Sequence, residues 1–143
     1  MVELKTPLKE QVEILVDKSN QEFDKGNYDE SVKILEDAWA RLPEPKGIYD
    51  ESFHIVLYIS ETYLLIKNPD KAKGWADKIF QCDLERIDSG QREFLVGKVS
   101  FELGDFKAAK RYFSVANQKS QGRCFKSQDG KYLKFFNQKA DKP

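Results

Sequence analysis

A short segment recurs in this chain, each time between two stretches of helical periodicity. Gly26-Asn27-Tyr28-Asp29-Glu30-Ser31 is matched by Gly104-Asp105-Phe106-Lys107-Ala108-Ala109, and between them Asn68-Pro69-Asp70-Lys71-Ala72 fills the same slot with a proline turn. An amphipathic helix precedes and follows each copy. Serial two-helix units cannot bury their apolar faces singly, so they stack on their neighbours. Such stacks more often bind other proteins than perform chemistry. The recurrence therefore constrains architecture strongly and partner identity weakly.

The 143 residues are expected to form one domain, long enough to bury a core without staples. The 24 basic and 24 acidic residues cancel, which argues against a dedicated nucleic-acid binder. Met1-Val2-Glu3-Leu4-Lys5-Thr6-Pro7 lacks the basic start and apolar run of a secretory signal, and no segment reaches membrane-spanning length. A cytoplasmic location with no membrane contact is the expectation. Cys82 and Cys124 are far apart and outside any CxxC pattern, so two free thiols are expected rather than a disulfide or a metal site.

The apolar spacing predicts six helices and a short seventh. The first opens at Thr6 or Pro7, with Thr6 as cap, and runs to the Gly26-Asn27 stop with Leu8, Val12, Leu15, Val16, Ser19 and Phe23 on one face. The second covers Tyr28 to Leu42 and ends at Pro43-Glu44-Pro45-Lys46-Gly47. The third, about Asp50 to Lys67, is apolar nearly all round and should be covered on two sides. The fourth runs from Pro69 to Cys82 or Asp83, with Trp75, Ile79 and Phe80 facing inward. Its interior Gly74 weakens it and is expected to be compensated by a close helix contact. Asp88-Ser89-Gly90 opens the fifth, to about Leu103, and the sixth runs from Phe106 to Lys119. After Ser120-Gln121-Gly122 an irregular segment leads to a last helix over Lys131 to Lys139, suited to cover the exposed end of an array.

These units resemble tetratricopeptide repeats over roughly Leu8 to Gln121. Ser19-Asn20-Gln21-Glu22-Phe23-Asp24-Lys25-Gly26-Asn27-Tyr28-Asp29-Glu30-Ser31 is similar to the family's G-N-x-x-F-K-x-G-x-Y-x-x-A, followed by Ala38 and Pro43. The third unit offers Gly97, Phe101, Gly104, Phe106, Ala109, Phe113 and Ala116, and the second Ser60, Tyr63, Ala72 and Ala76. Small residues let paired helices approach, and large aromatics fill the remaining pockets. The junctions Gly26, Lys67 and Gly104 are 41 and 37 residues apart, wider than the regular repeat of about 34. Ser19 and Ser31 stand where Gly and Ala are usual. The resemblance implies an all-α fold: a right-handed α-α superhelix of three helical hairpins, at about 7–42, 50–83 and 90–119, with a C-terminal cap over 120–143.

The resemblance also implies a concave groove lined by the first helix of each hairpin. By register the groove positions are Val16, Asn20 and Asp24; Leu57, Glu61 and Leu65; and Phe94, Lys98 and Glu102. Val16, Leu57 and Phe94 read equally well as core. A family subset clamps acidic chaperone tails with Lys and Asn. Asn20 and Lys98 sit at clamp-like positions, but Val16, Tyr58 and Phe94 cannot hold a carboxylate, which excludes that ligand.

Other chemistry is sparse. His54 is the single histidine and no carboxylate partner follows from its spacing, so it reads as a packed or solvated side chain rather than a general base. Arg123 beside Cys124 could lower that thiol's pKa and activate it, although a small buried hydrophobe is the commoner role. Asp17, Glu22, Asp24, Asp29 and Glu30 form an acidic run; Lys67, Lys71, Lys73 and Lys78 a basic one; and Lys126, Lys131, Lys134, Lys139 and Lys142 a basic, aromatic-rich tail. The two runs read first as solvated faces and second as steering surfaces, and the tail first as a capping helix with a wet lysine face and second as an RNA contact. No phosphate loop, nucleophile elbow or recognisable carboxylate pair is present. The expectation is a non-enzymatic binding module without catalytic residues, metal or cofactor, monomeric or weakly dimeric. Its partner is a protein or peptide, with nucleic acid not expected. A small inhibitor of the immunity-protein kind leads; an assembly or secretion chaperone and an RNA binder using the basic C-terminal end are the alternatives.

Overall fold

The computed structural model describes residues 2–82 and 89–138. Among them lie seven α-helices: α1 Leu8–Asp24, α2 Tyr28–Arg41, α3 Asp50–Leu65, α4 Pro69–Ala76, α5 Gln91–Glu102, α6 Phe106–Ser120 and α7 Gly130–Phe136. Asp83, Asp88, Lys139 and Lys142 lie outside the described residues. The chain divides into two compact units, Met1–Leu84 and Glu85–Pro143.

Three turns share one hydrogen-bond pattern. Gly26, Lys67 and Gly104 each take a left-handed conformation, with φ of 83°, 62° and 82°. Their N–H groups donate to the carbonyls three residues back, Phe23, Leu64 and Phe101, at 2.9, 3.1 and 3.0 Å. The next residues, Asn27, Asn68 and Asp105, donate five back, to Glu22, Tyr63 and Ser100, at 2.9, 2.8 and 2.9 Å. This paired 5→2 and 6→1 bonding is the Schellman stop, which satisfies orphan carbonyls at the end of one helix. The same Asn27, Asn68 and Asp105 are the N-caps of α2, α4 and α6. One residue thus closes one helix and opens the next. The result is three turn-linked helix pairs: α1 on α2, α3 on α4, and α5 on α6. Lys67 holds the left-handed slot without being glycine, so α3 stops at Leu65 rather than at Lys67.

Ser19, Ser60 and Gly97 each sit seven residues before their turn, with Ser31, Ala72 and Ala109 five residues after it. All six are buried. Ser19 and Ser31 lock α1 to α2 reciprocally: Ser19 Oγ donates to Ser31 O at 2.9 Å, Ser31 Oγ to Ser19 O at 3.0 Å, and the hydroxyls are 2.8 Å apart. Ser60 Oγ is buried with no hydrogen-bond partner among the described residues. The two serines therefore have opposite expected effects. Ser19→Ala should cost about 1 kcal/mol, the hydrogen bond of Ser19 Oγ being lost while Ser31 Oγ keeps the backbone O of residue 19 as acceptor, whereas Ser60→Ala should stabilise by up to about 1 kcal/mol. Urea denaturation of both variants tests this, and an equal cost at the two positions would refute it.

In unit 1, α2 packs on α1 and α3, and α3 also on α4. Phe53, Val56 and Ile59 of α3 are fully buried with Leu35 and Ala38 of α2 and with Ala72 and Ile79. Tyr63 ties α3 to α2, donating to Glu36 Oε1 at 3.1 Å. Burial, then the Glu36 carboxylate, pushes that phenol up to about 12. Trp39 and Trp75 meet edge to face at 5.8 Å. The N-terminal segment is pinned by Val2, whose N–H donates to Ile48 O at 3.0 Å and whose carbonyl accepts from Asp50 N–H at 3.4 Å.

Three local expectations are corrected. Helix α1 begins at Leu8 with Pro7 as N-cap and no side-chain cap, so Thr6 does not cap it. Helix α4 ends at Ala76 and continues as a 3₁₀ turn over Asp77–Gln81, which turns Phe80 outward. Gly74 has open space around its Cβ position, so no close helix contact compensates for it. Gly74→Ala should then stabilise the protein by about 0.5–1 kcal/mol, read as a raised urea midpoint at unchanged slope.

Candidate functional site on the first-helix faces

The α1 and α3 groove positions recur at four-residue steps, which places each trio along one side of its helix. In unit 1 they are accessible. Val16 is half-buried and Asn20 and Asp24 are exposed; Leu57 is half-buried, Glu61 is exposed, and Leu65 is 51% exposed. His54, on the same helix, is half-buried between the Phe53 ring at 5.5 Å and the Tyr58 ring at 5.9 Å. Near the start of α3, burial raises the Glu51 carboxyl above its ordinary value, with Asp50 adding to the shift and Lys9 opposing it.

The α5 trio is in a different state. Phe94 and Lys98 are 5% and 6% exposed, and Glu102 is half-buried. The chain's own C-terminal segment covers them. Phe125 and Tyr132 meet the Phe94 ring at 5.2 and 6.3 Å. Lys98 Nζ donates to Gln128 Oε1 at 3.2 Å and lies over the Phe94 ring. Glu102 Oε1 accepts from Tyr132 OH at 2.9 Å and pairs with Lys131 Nζ at 2.7 Å. Phe135, only 1% exposed, closes the cluster against Phe101 and Phe106. A partner reaching Phe94 or Lys98 would have to displace a packed aromatic layer.

The thiols are free, Cys82 buried and Cys124 half-buried. Arg123 does not activate Cys124, because its Nε donates to Ser120 O at 3.0 Å and burial pushes the thiol above its ordinary value. At neutral pH Cys124 should therefore react with a thiol reagent at least several-fold slower than an unstructured cysteine peptide, and its rate should still be climbing at pH 9.

Charge is strongly segregated, although the chain is neutral overall. Residues 1–84 hold 11 basic and 17 acidic residues; residues 85–143 hold 13 and 7. The units thus carry −6 and +6. In unit 2 every described acid is committed: Glu93 to Lys119, Glu102 to Lys131 and Tyr132, and Asp105 and Asp129 to the caps of α6 and α7. Sequence reasoning took the chain's charge as a whole, and a count by halves would have found the division. Among the described residues no helix is long and apolar enough to cross a membrane. No protein-family model matches the sequence, and no curated protein matches it.

Proposed function

We propose that the chain is a non-enzymatic protein-binding module built as a tetratricopeptide-like array: three hairpins in a right-handed superhelix, with α7 capping the C-terminal end. The observation that carries this reading is the threefold recurrence of one turn. The same two hydrogen bonds and the same buried small pair recur at Gly26, Lys67 and Gly104. A chain that reuses one unit in this way builds an extended surface for a partner. Asn20, Asp24, Glu61 and Leu65 are the accessible groove positions, and the α5 positions are reserved for the cap.

The partner class that fits best is a folded cytoplasmic protein, as for a small inhibitor that neutralises a cognate toxin. An accessible face that is mostly polar and acidic suits a folded surface better than an unfolded apolar segment. Leu65, at 51% exposed, is the feature that favours a chaperone instead. The RNA reading has less support, because Phe94, Phe113, Phe125, Tyr132 and Phe135 are spent in the core and leave few rings for base stacking.

Affinity capture with the purified chain, followed by mass spectrometry, tests the reading. One stoichiometric folded protein, bound at least tenfold more weakly by the Asn20→Ala/Glu61→Lys variant, is the expected result. Recovery of nucleic acid or of no protein overturns it.

A further inference from the structure

We propose that the chain associates with itself head to tail, the acidic face of α1 in one copy docking on the basic face of α6 and α7 in the next. Glu10, Glu13 and Asp17 of α1 are exposed, as are Lys107 and Arg111 of α6 and Lys134 of α7. None of the six makes an ion pair among the described residues. They belong to units of net −6 and +6, so the complement of each face is present on the chain itself.

Two pairs among these charges oppose local helix stability. Glu13 and Asp17 are like charges four residues apart, and so are Lys107 and Arg111. Lys107 lies in the first turn of α6, where a positive charge meets the positive end of the helix dipole, although the Asp105 cap stands beside it. Asp24 ends α1, whose last turn has no base. Neutralisation by an opposing face would relieve all of these repulsions. Each face also offers one large apolar side chain for the centre of a contact: Ile14 of α1, 64% exposed, and Leu133 of α7, 43% exposed. An apolar centre with a charged rim is the usual anatomy of a protein interface. A free polyanion fits less well, because the −6 unit would repel it.

The contacting faces differ, so the association is heterologous, and each added copy leaves one face of either sign open. The inference is independent of the identity of any foreign partner.

Sedimentation equilibrium of the whole chain tests it. At about 0.01 M salt, where charges act over about 30 Å, the weight-average mass should rise with concentration; at about 1 M salt it should return to that of one chain. Two charge-reversal variants make the test specific. One carries Glu10→Lys, Glu13→Lys and Asp17→Lys; the other carries Lys107→Glu, Arg111→Glu and Lys134→Glu. All six sites are exposed, and helical circular dichroism verifies the fold. Each variant alone should be monomeric at low salt. Mixed in equal amounts they should associate again with alternating copies, because every contact then pairs an acidic face with a basic one. A monomeric wild-type chain at low salt overturns the proposal. So does self-association of either variant alone, or a mixture that stays monomeric. An RNA oligonucleotide bound at the Lys107–Arg111 face of a chain that stays monomeric would assign that face to nucleic acid instead.

Discussion

Phe113→Ala is expected to cost about 3–5 kcal/mol, as large core truncations do. Phe113 is fully buried in α6, at the centre of the aromatic cluster of unit 2. Its ring meets Phe94 at 5.3 Å, Phe125 at 5.6 Å, Tyr132 at 5.9 Å and Phe135 at 6.4 Å. Those rings come from α5, the Arg123–Phe125 turn and α7, so the loss reaches every element that covers the α5 face. Gly97 of α5 packs against the same ring: an added Cβ would stand 2.7 Å from Phe113. Gly97→Ala alone should therefore also destabilise, by about 1–3 kcal/mol through overpacking. In the double variant the Gly97→Ala penalty should vanish, since the ring it strikes is gone, giving a coupling of about 1 kcal/mol or more. Both tryptophans, Trp39 and Trp75, lie in unit 1, so far-UV circular dichroism rather than tryptophan fluorescence is the readout for the damage to unit 2. A cost below about 1 kcal/mol for Phe113→Ala would mean that the ring cluster does not hold the C-terminal segment in place.

The readable parts of this fold are the parts set by neighbours in sequence. Gly26-Asn27 and Gly104-Asp105 announced their turns because a left-handed residue followed by a cap is a local requirement. The helices were legible from three- and four-residue apolar spacing, and the buried small residues from their place relative to the turns. Lys67 was harder, because lysine normally avoids φ of 62° and nothing local marks the exception. Gly74 misled for a related reason: a glycine in a helix invites a packing explanation, and only tertiary structure reveals open space around it. The switch from α-helix to a 3₁₀ turn after Ala76 also has no local signal.

The candidate site divides along the same line. The four-residue register of Asn20 and Asp24, and of Glu61 and Leu65, is a property of single helices and could be read. That Phe94 and Lys98 are covered depends on residues far along the chain, Phe125, Gln128 and Tyr132, meeting them in space. Such pairing is invisible to periodicity, although the aromatic density of the last 20 residues hinted at a cap. The activated-thiol alternative fails for the same reason: Arg123 is adjacent to Cys124 in sequence, but its guanidinium is turned to Ser120 O. Sequence adjacency is not electrostatic adjacency when a 3₁₀ turn intervenes.

Gly47→Ala is expected to be the other severe substitution, costing about 3 kcal/mol or more. Gly47 lies in the Lys46–Ile48 turn after α2 and has no left-handed backbone to explain it. Its requirement is space. An added Cβ would lie 2.1 Å from Gln81 O and 2.9 Å from Gln81 C. Those are backbone atoms at the end of the 3₁₀ turn that follows α4, so no side-chain rotation can relieve the clash. The turn itself is held on several sides: Lys46 Nζ donates to Leu42 O at 2.5 Å, Ser52 Oγ to Gly47 O at 3.1 Å, and Val2 N–H to Ile48 O at 3.0 Å. Moving it would break the contact that pins the N-terminal segment and loosen the start of α3. Gly26→Ala supplies the contrast. That position has φ of 83° but nothing within 4 Å of the Cβ position, so its cost is conformational alone, about 1–2 kcal/mol. Urea denaturation followed by tryptophan fluorescence reports on both, since Trp39 and Trp75 share unit 1 with them. A larger loss at Gly47 than at Gly26 is expected; the reverse order would show that backbone conformation, not the approach of Gln81, limits unit 1.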